Sequence, residues 1–456
     1  MRFVDMHGWK KWTGAVFPRL KKLEIKGCPN LVEATLDALP SLNVLNLLRC
    51  DSGMLRSLVE VASGVTKLEI ERISGLNDVV WGGVTESLGA VEELSIRNCN
   101  EIRYLVKSDA DASKILVTLR KLEVLECDNL VSLGEKEEED NCRSNILSSL
   151  RILNVYNCKN MERCNCPDGI EELDVHNCSS TVVSFPKGRQ VKLRRLQIYN
   201  CRKLLERELG GQKMNNRSSM QMLEYVNINN LPNLKSITEL NFLVHLTQLV
   251  IMYCESLEFF PDNLTSLKKL QIIKCPKLKV SFLRDNLTSL ENLVLLNCPS
   301  TDVSLPGWVW PPNLRSLETG ELKKPISEWG PQNFPTSLVE LKLHDDEEDG
   351  VSSCSQLSHI LPSSLTSLQI TGFQNLESVT EGLQHFISLQ HLAFFGCPNL
   401  KNVSLPQHLT SLQQLTFERC PELKRVCSHP QHLTSLQHLY FWNCPKMMEL
   451  PEIEMQ

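Results

Sequence analysis

Eighteen cysteines and eleven histidines are the side chains of this 456-residue chain best suited to do chemistry. The densest group is Cys158, Cys164, Cys166 and Cys178 with His176, soft ligands of the kind that hold zinc. Their spacing, C-x5-C-x-C-x11-C, matches no common C-x2–4-C pair, so no metal site is expected. The histidines are scattered. His385, His408, His432 and His438 sit in recurring sequence contexts rather than beside a nucleophile. No G-x-x-x-x-G-K-[ST], G-x-G-x-x-G, H-E-x-x-H or G-x-S-x-G stretch occurs. The expectation is therefore no catalytic residue, no cofactor and no enzyme.

The cysteines instead keep time. Thirteen of them (28, 50, 99, 127, 158, 178, 201, 254, 275, 298, 397, 420 and 444) close a unit L-x-x-L-x-I-x-x-C. Leu20-Leu23-Ile25-Cys28 and Leu267-Leu270-Ile272-Cys275 are examples. With other residues at 73, 231, 322, 346 and 373, the ninth position recurs 18 times from 28 to 444, so 416 residues over 17 intervals give a period of 24.5. That lies within the ~20–29 residues of leucine-rich repeats. Leucine itself numbers 74, or 16 % of the chain.

Alternation in L-x-I turns two apolar side chains one way and their neighbours the other, as a short strand requires. Stacked parallel copies then share one core. Leu-Pro and Leu-Thr-Ser-Leu segments such as Leu264–Leu267, Leu287–Leu290, Leu409–Leu412 and Leu433–Leu436 favour turns over long helices on the return path. The expected fold is an α/β-type leucine-rich-repeat solenoid (horseshoe) with a parallel concave sheet, a loop-rich convex face and about 18 repeats. Residues 1–19 read as part of a preceding repeat and 20–456 as the solenoid, with one flank of the first coil covered only by Trp9, Trp12 and Phe17. An isolated chain of this kind is expected to be poorly soluble or frayed at its N-terminus. The ninth-position cysteine is expected to face inward, donate to a neighbouring coil's backbone, and remain buried and reduced.

Charge excludes further classes. Lys+Arg 48 against Asp+Glu 54 leaves −6, without the basic stripe of a nucleic-acid binder. No apolar run reaches the ~18 residues of a membrane span. Asp5, His7, Lys10 and Lys11 interrupt any signal-peptide core, so a cytoplasmic or nuclear compartment is expected and the sequons at Asn263 and Asn286 belong to the repeat pattern. Acidic runs at Glu135–Asp140 and Asp345–Asp349 read as solvated loops. Arg189, Lys192, Arg194, Arg195, Arg202, Lys203 and Arg207 read as surface charge that balances them.

The form L-x-x-L-x-I-x-x-C-P-x-L, at Cys28-Pro29-Asn30-Leu31, Cys275-Pro276-Lys277-Leu278, Cys397-Pro398-Asn399-Leu400 and Cys420-Pro421-Glu422-Leu423, resembles plant intracellular disease-resistance proteins. Specifically, it is similar to the leucine-rich-repeat region of their coiled-coil, nucleotide-binding class. Met6-x-x-Trp9-x-x-Trp12 followed by Phe17-Pro18-Arg19-Leu20 is similar to a segment within such arrays. The family's nucleotide-binding switch module has no counterpart in this sequence, so no nucleotide-binding residue carries over. The resemblance implies a recogniser of a pathogen effector, a guarded host protein or the receptor's own nucleotide-binding module. The alternative is the substrate-recognition subunit of a ubiquitin ligase. Its adaptor-binding motif and regular return-path helices are not visible.

Partner-binding residues are expected where the strand points away from the core. The position after the Ile gives Tyr156, His176, Tyr199, Met252, Ile273, Leu296, Phe395 and Trp442, with Tyr440 two residues before Trp442. Met252, Ile273 and Leu296 occupy consecutive repeats and should form one apolar stripe, of the kind that marks interfaces.

Overall fold

A five-residue strand with alternating apolar residues can bury one face only, and it does so by lying beside copies of itself. The computed structural model describes residues 1–14, 17–106, 116–134, 147–167, 169–184, 191–201, 221–261, 263–280, 287–304, 308–329, 332, 334–345, 350–357, 360–427 and 433–448. They form two compact units, Met1–Leu231 and Pro232–Gln456.

In the first unit the strands Arg2–Val4, Lys22–Lys26, Val44–Leu48, Lys67–Glu71, Glu93–Arg97, Lys121–Leu125, Ile152–Tyr156, Glu172–His176, Arg195–Tyr199 and Tyr225–Asn229 pair in parallel, in chain order. In the second, Gln248–Met252, Lys269–Ile273, Asn292–Cys298, Ser316–Leu322, Glu340–His344, Ser367–Thr371, His391–Phe395, Gln414–Glu418 and His438–Trp442 do the same. Pairing is in repeat register throughout, so Leu23 faces Leu45 and Leu45 faces Leu68. Each unit is thus a parallel-sheet solenoid.

The second and fourth strand positions make the core. Leu23, Ile25, Leu153, Val155, Leu270 and Ile272 are fully buried. Where the fourth position is aromatic the rings stack, Phe394 on Phe417 and Phe417 on Phe441, with centroids 5.4 Å apart in both pairs and planes within 10°.

Most strands end in a sharp turn, and two sequence features recur in it. The residue just before the ninth position takes the left-handed conformation: Gly27 (φ 65°), Asn157 (φ 57°), Asn177 (φ 53°), Asn200 (φ 52°), Lys274 (φ 55°) and Gly396 (φ 60°) are examples. Only Gly adopts this without strain, and Asn tolerates it. Asn157, Asn177 and Asn200 also pass a side-chain hydrogen bond from coil to coil at 2.7 and 3.0 Å. The Cys-Pro-x-Leu segment is then a β-turn. The Leu N–H donates to the Cys carbonyl at 3.2 Å for Leu31, 3.1 Å for Leu278 and 3.2 Å for Leu423, with Pro pre-setting the first central φ.

The return path departs from the expected loops in the first unit, where two α-helices occur. Ser52–Val61 starts on Asp51, whose carboxylate accepts from the Gly53 N–H, and buries Met54, Leu55, Leu58 and Val59. Asp78–Thr85 starts on Asn77, whose side chain accepts from Val79 and Val80, and buries Trp81 and Val84. An N-cap followed by apolar residues at helical spacing outweighs the turn preference there. Elsewhere the return path makes short parallel strand pairs, as between Arg163–Asn165 and Val182–Ser184, or 3-10 turns such as Thr238–Phe242.

Candidate partner-binding surface

Thirteen ninth-position cysteines line the inside of the turns. In eight of them the thiol lies within reach of two carbonyls, its own strand's and the preceding coil's: Cys178 Sγ is 3.2 Å from His176 O and 3.8 Å from Val155 O, and Cys201 Sγ is 3.3 Å from Tyr199 O and 3.4 Å from Val175 O. The same double contact recurs at Cys50, Cys127, Cys158, Cys397, Cys420 and Cys444. A thiol at this site satisfies a neighbouring coil's carbonyl and packs as a small apolar group. The sixteen cysteines whose side chains are described are free thiols; fifteen are buried and Cys444 is half-buried. Burial pushes Cys50 and Cys99 up to about 11, and Cys127, Cys201, Cys298 and Cys354 up to about 12. A contact with Cys178, together with burial, raises Cys158 further. Thiols held protonated in this way are poor nucleophiles and poor metal ligands.

The group around Cys158 is divided by the fold. Cys158 and Cys178 are in the ladder, Cys164 lies in the return-path strand Arg163–Asn165, and His176 stands on the other face of the sheet. Among the described residues, no three His, Cys, Asp or Glu side chains are placed to hold a metal ion.

That other face, the solvent side of the sheet, carries the first, third and fifth strand positions. All nine expected partner-binding residues stand there: Tyr156, His176, Tyr199, Met252, Ile273, Leu296, Phe395 and Trp442 at fifth positions, Tyr440 at a third. Tyr440 is 52 % and Trp442 58 % exposed. The register brings some of them together. In the first unit Tyr156, His176 and Tyr199 are successive cross-strand neighbours, with ring centroids 4.8 and 5.5 Å apart. In the second, Met252 faces Ile273 and Ile273 faces Leu296, with Val250 and Val294 in the adjoining row. Phe395 and Trp442 are separated by Glu418.

Residues of the third-position row add what the apolar pattern did not mark. Asp174 accepts from the Tyr156 hydroxyl at 2.6 Å and from Gln197 Nε2 at 3.3 Å through Oδ2, while its Oδ1 lies 2.6 Å from His176 Nε2. Burial and the Asp174 hydrogen bond push the Tyr156 phenol above its ordinary range. Asn154 donates to Glu123 at 3.3 Å in the same row. Beside this network is a shallow polar depression of about 240 Å³, lined by Lys121, Ile152, Asn154, Glu172, Asp174, Arg195 and Gln197. Reading every third strand position as one column would have found Asp174 and Gln197. A comparable pair in the second unit is His344 Nε2 with Glu318 Oε1 at 3.0 Å; it lowers the Glu318 carboxyl.

Of the expected surface charges, Lys192, Arg194 and Arg195 are described; Arg194 pairs with Glu224 at 2.9 Å and the Arg195 guanidinium lies 4.6 Å from the Tyr225 ring centroid. Arg189, Arg202, Lys203, Arg207, the acidic run 135–140, residues 346–349, Asn286 and His432 lie outside the described residues. No helix among the described residues is long and apolar enough to cross a membrane.

These strands, turns and repeat period define a leucine-rich-repeat solenoid. Residues 348–451 match the family model of the BspA type leucine rich repeat region, in 6 copies. No curated protein sequence matches the chain. Among solved structures, CroV588, described as a novel circular leucine-rich-repeat protein, aligns with a TM-score of 0.55 at 15 % identity over 97 % of this chain and 72 % of its own. The Leptospira interrogans leucine-rich-repeat protein LIC12759 aligns at 0.40 and 17 % identity, over 88 % of this chain and 90 % of its own. The functional domain of InlJ from Listeria monocytogenes, which includes a cysteine ladder, aligns at 0.33 and 17 %, over 87 % and 66 %. Likeness at such identity concerns the fold. None of these is a plant receptor, and the plant resemblance rests on the Cys-Pro-x-Leu and Trp motifs alone.

Proposed function

We propose that the chain is a protein-recognition module of a plant immune receptor, whose sheet face engages a pathogen effector, a guarded host protein or the nucleotide-binding module of a longer chain and so contributes to the defence response. Such a module would work in the cytoplasm or nucleus.

The observation that carries the recognition reading is the in-register apolar and aromatic content of the solvent side. Packing of the coils uses the second and fourth strand positions, so nothing in the core requires Tyr156, His176 and Tyr199, or Met252, Ile273 and Leu296, to follow one another across neighbouring strands. Contiguous apolar rows on a solvent-side face mark interfaces even where, as for Met252, Ile273 and Leu296, the side chains are half-buried, and Tyr and Trp dominate hot spots. The plant assignment draws on the Cys-Pro-x-Leu turns and the Trp9/Trp12 segment. The genomic sequence upstream of the Met1 codon tests it. An in-frame nucleotide-binding module is the expected result; an adaptor-binding motif of a ubiquitin ligase would overturn the plant reading.

A further inference from the structure

Three strands of the second unit build a distinct stretch of the solvent face. Their fifth positions, paired in register, read Phe395, Glu418 and Trp442, and their third positions read Ala393, Thr416 and Tyr440. At a strand spacing of ~4.8 Å the Glu418 carboxylate has an aromatic residue on each side. Ala393 and Thr416 are short side chains beside Phe395, which is half-buried, and beside Tyr440 and Trp442, which are 52 % and 58 % exposed. The strand before these, Ser367–Thr371, contributes only neutral Gln369 and Thr371 to the two rows. Glu418 is therefore the one charge in both rows from Ser367 to Trp442.

The protein itself shows what such a place attracts. Arg419, on the turn after Glu418, holds its guanidinium carbon 5.2 Å from the Trp442 ring centroid and its Nε 3.9 Å from Glu418 Oε1. The side chain is 64 % exposed, so this cation rests at the rim and can swing away. A ring face and a carboxylate together suit an ammonium or guanidinium group.

We infer that this part of the face takes a basic segment of a partner protein, seating one Lys or Arg side chain over Glu418 between Phe395 and Trp442. The inference names the partner chemistry for one part of the recognition surface and rests on that reading. Arg419 is the internal competitor that the incoming cation displaces.

A displayed random-peptide library, panned on the wild-type chain and on the F395A/Y440A/W442A variant, separates the two levels. The expected result is enrichment on wild type alone of peptides sharing a Lys or Arg. The best synthetic peptide should bind at least about fivefold more weakly to Glu418→Gln. It should bind more tightly to Arg419→Ala, with melting unchanged in both variants. Enriched peptides lacking a basic residue, or tighter binding by Glu418→Gln, would overturn the inference while leaving the recognition surface standing. Loss of binding in Arg419→Ala would overturn it too, because Arg419 would then itself be the contact. Equal enrichment on wild type and the triple variant would overturn both the inference and the recognition role of these three residues.

Discussion

Tyr156 gives its phenolic hydrogen to Asp174 across one strand spacing, at 2.6 Å, while His176 reaches the other oxygen of the same carboxylate. Three residues from two coils thus meet at one carboxylate on the solvent side of the sheet. Tyr156→Phe removes the hydroxyl and keeps the ring. For a half-buried bond to a charged acceptor the expected loss is about 1 kcal/mol, seen as a lower urea midpoint. An unchanged midpoint would mean that water replaces the bond at no cost.

The thiol ladder should be chemically silent in the folded chain. Few of the described cysteines are expected to react with an alkylating reagent at pH 8, and nearly all should react in denaturant without added reductant. Protection that persisted in denaturant until reductant was added would reveal disulfides. The same burial links stability to pH. Thiols raised from about 9 to about 11 or 12 keep their protons in the folded state while the unfolded chain loses them. Their contribution is complete below pH 9 and is lost as pH rises toward 12. Thermal unfolding between pH 8 and 11 should therefore show a falling midpoint, and Cys127→Ala with Cys201→Ala should flatten the fall.

Left-handed residues before the ninth position set the turn, and their chemistry predicts a substitution order. Asn177→Gly keeps the backbone conformation free of strain and loses only the side-chain bonds to Asn157 and Asn200. Asn177→Val loses the same bonds, places a β-branched residue at φ 53°, and should cost about 1–2 kcal/mol more than the Gly variant. Equal urea midpoints for the two variants would contradict the turn geometry.

Phe417 is fully buried between two parallel rings. Phe417→Ala should cost about 3–5 kcal/mol and lower the unfolding midpoint, whereas Thr416→Ala, one residue away on the opposite face, should leave it nearly in place.

The strand phase was readable because burial imposes a period of two: Leu23 and Ile25 must point together, and Lys22, Glu24 and Lys26 must not. The ninth-position cysteine was readable for the same reason, since the turn points that side chain inward against the neighbouring coils, and where Cys is absent Ile73, Leu231, Leu322 or Phe373 is buried there instead. The left-handed residue before it left a weaker trace, the Asn-Cys and Gly-Cys pairs at 157–158, 177–178, 200–201, 27–28 and 396–397, blurred by Arg49, Glu126 and Lys274 in the same conformation. The two helices were hidden because an N-cap at Asp51 or Asn77 outweighs the repeat's own turn pattern only locally. The Tyr156–Asp174–His176 network depends on partners 18 residues apart in one coil pair, and on Gln197 a further 23 residues along. Unequal coil lengths conceal that proximity until the strands are paired.

The central claim is that the solvent side of the sheet recognises protein and contributes little to stability. Proximity labelling in cells, from the wild-type chain and from the F395A/Y440A/W442A variant, tests it most directly when paired with the melting curve of each. The account expects a set of proteins labelled by wild type and lost from the variant, with the two melting temperatures nearly equal. Identical labelling by both chains, or a variant that melts many degrees lower, would contradict it.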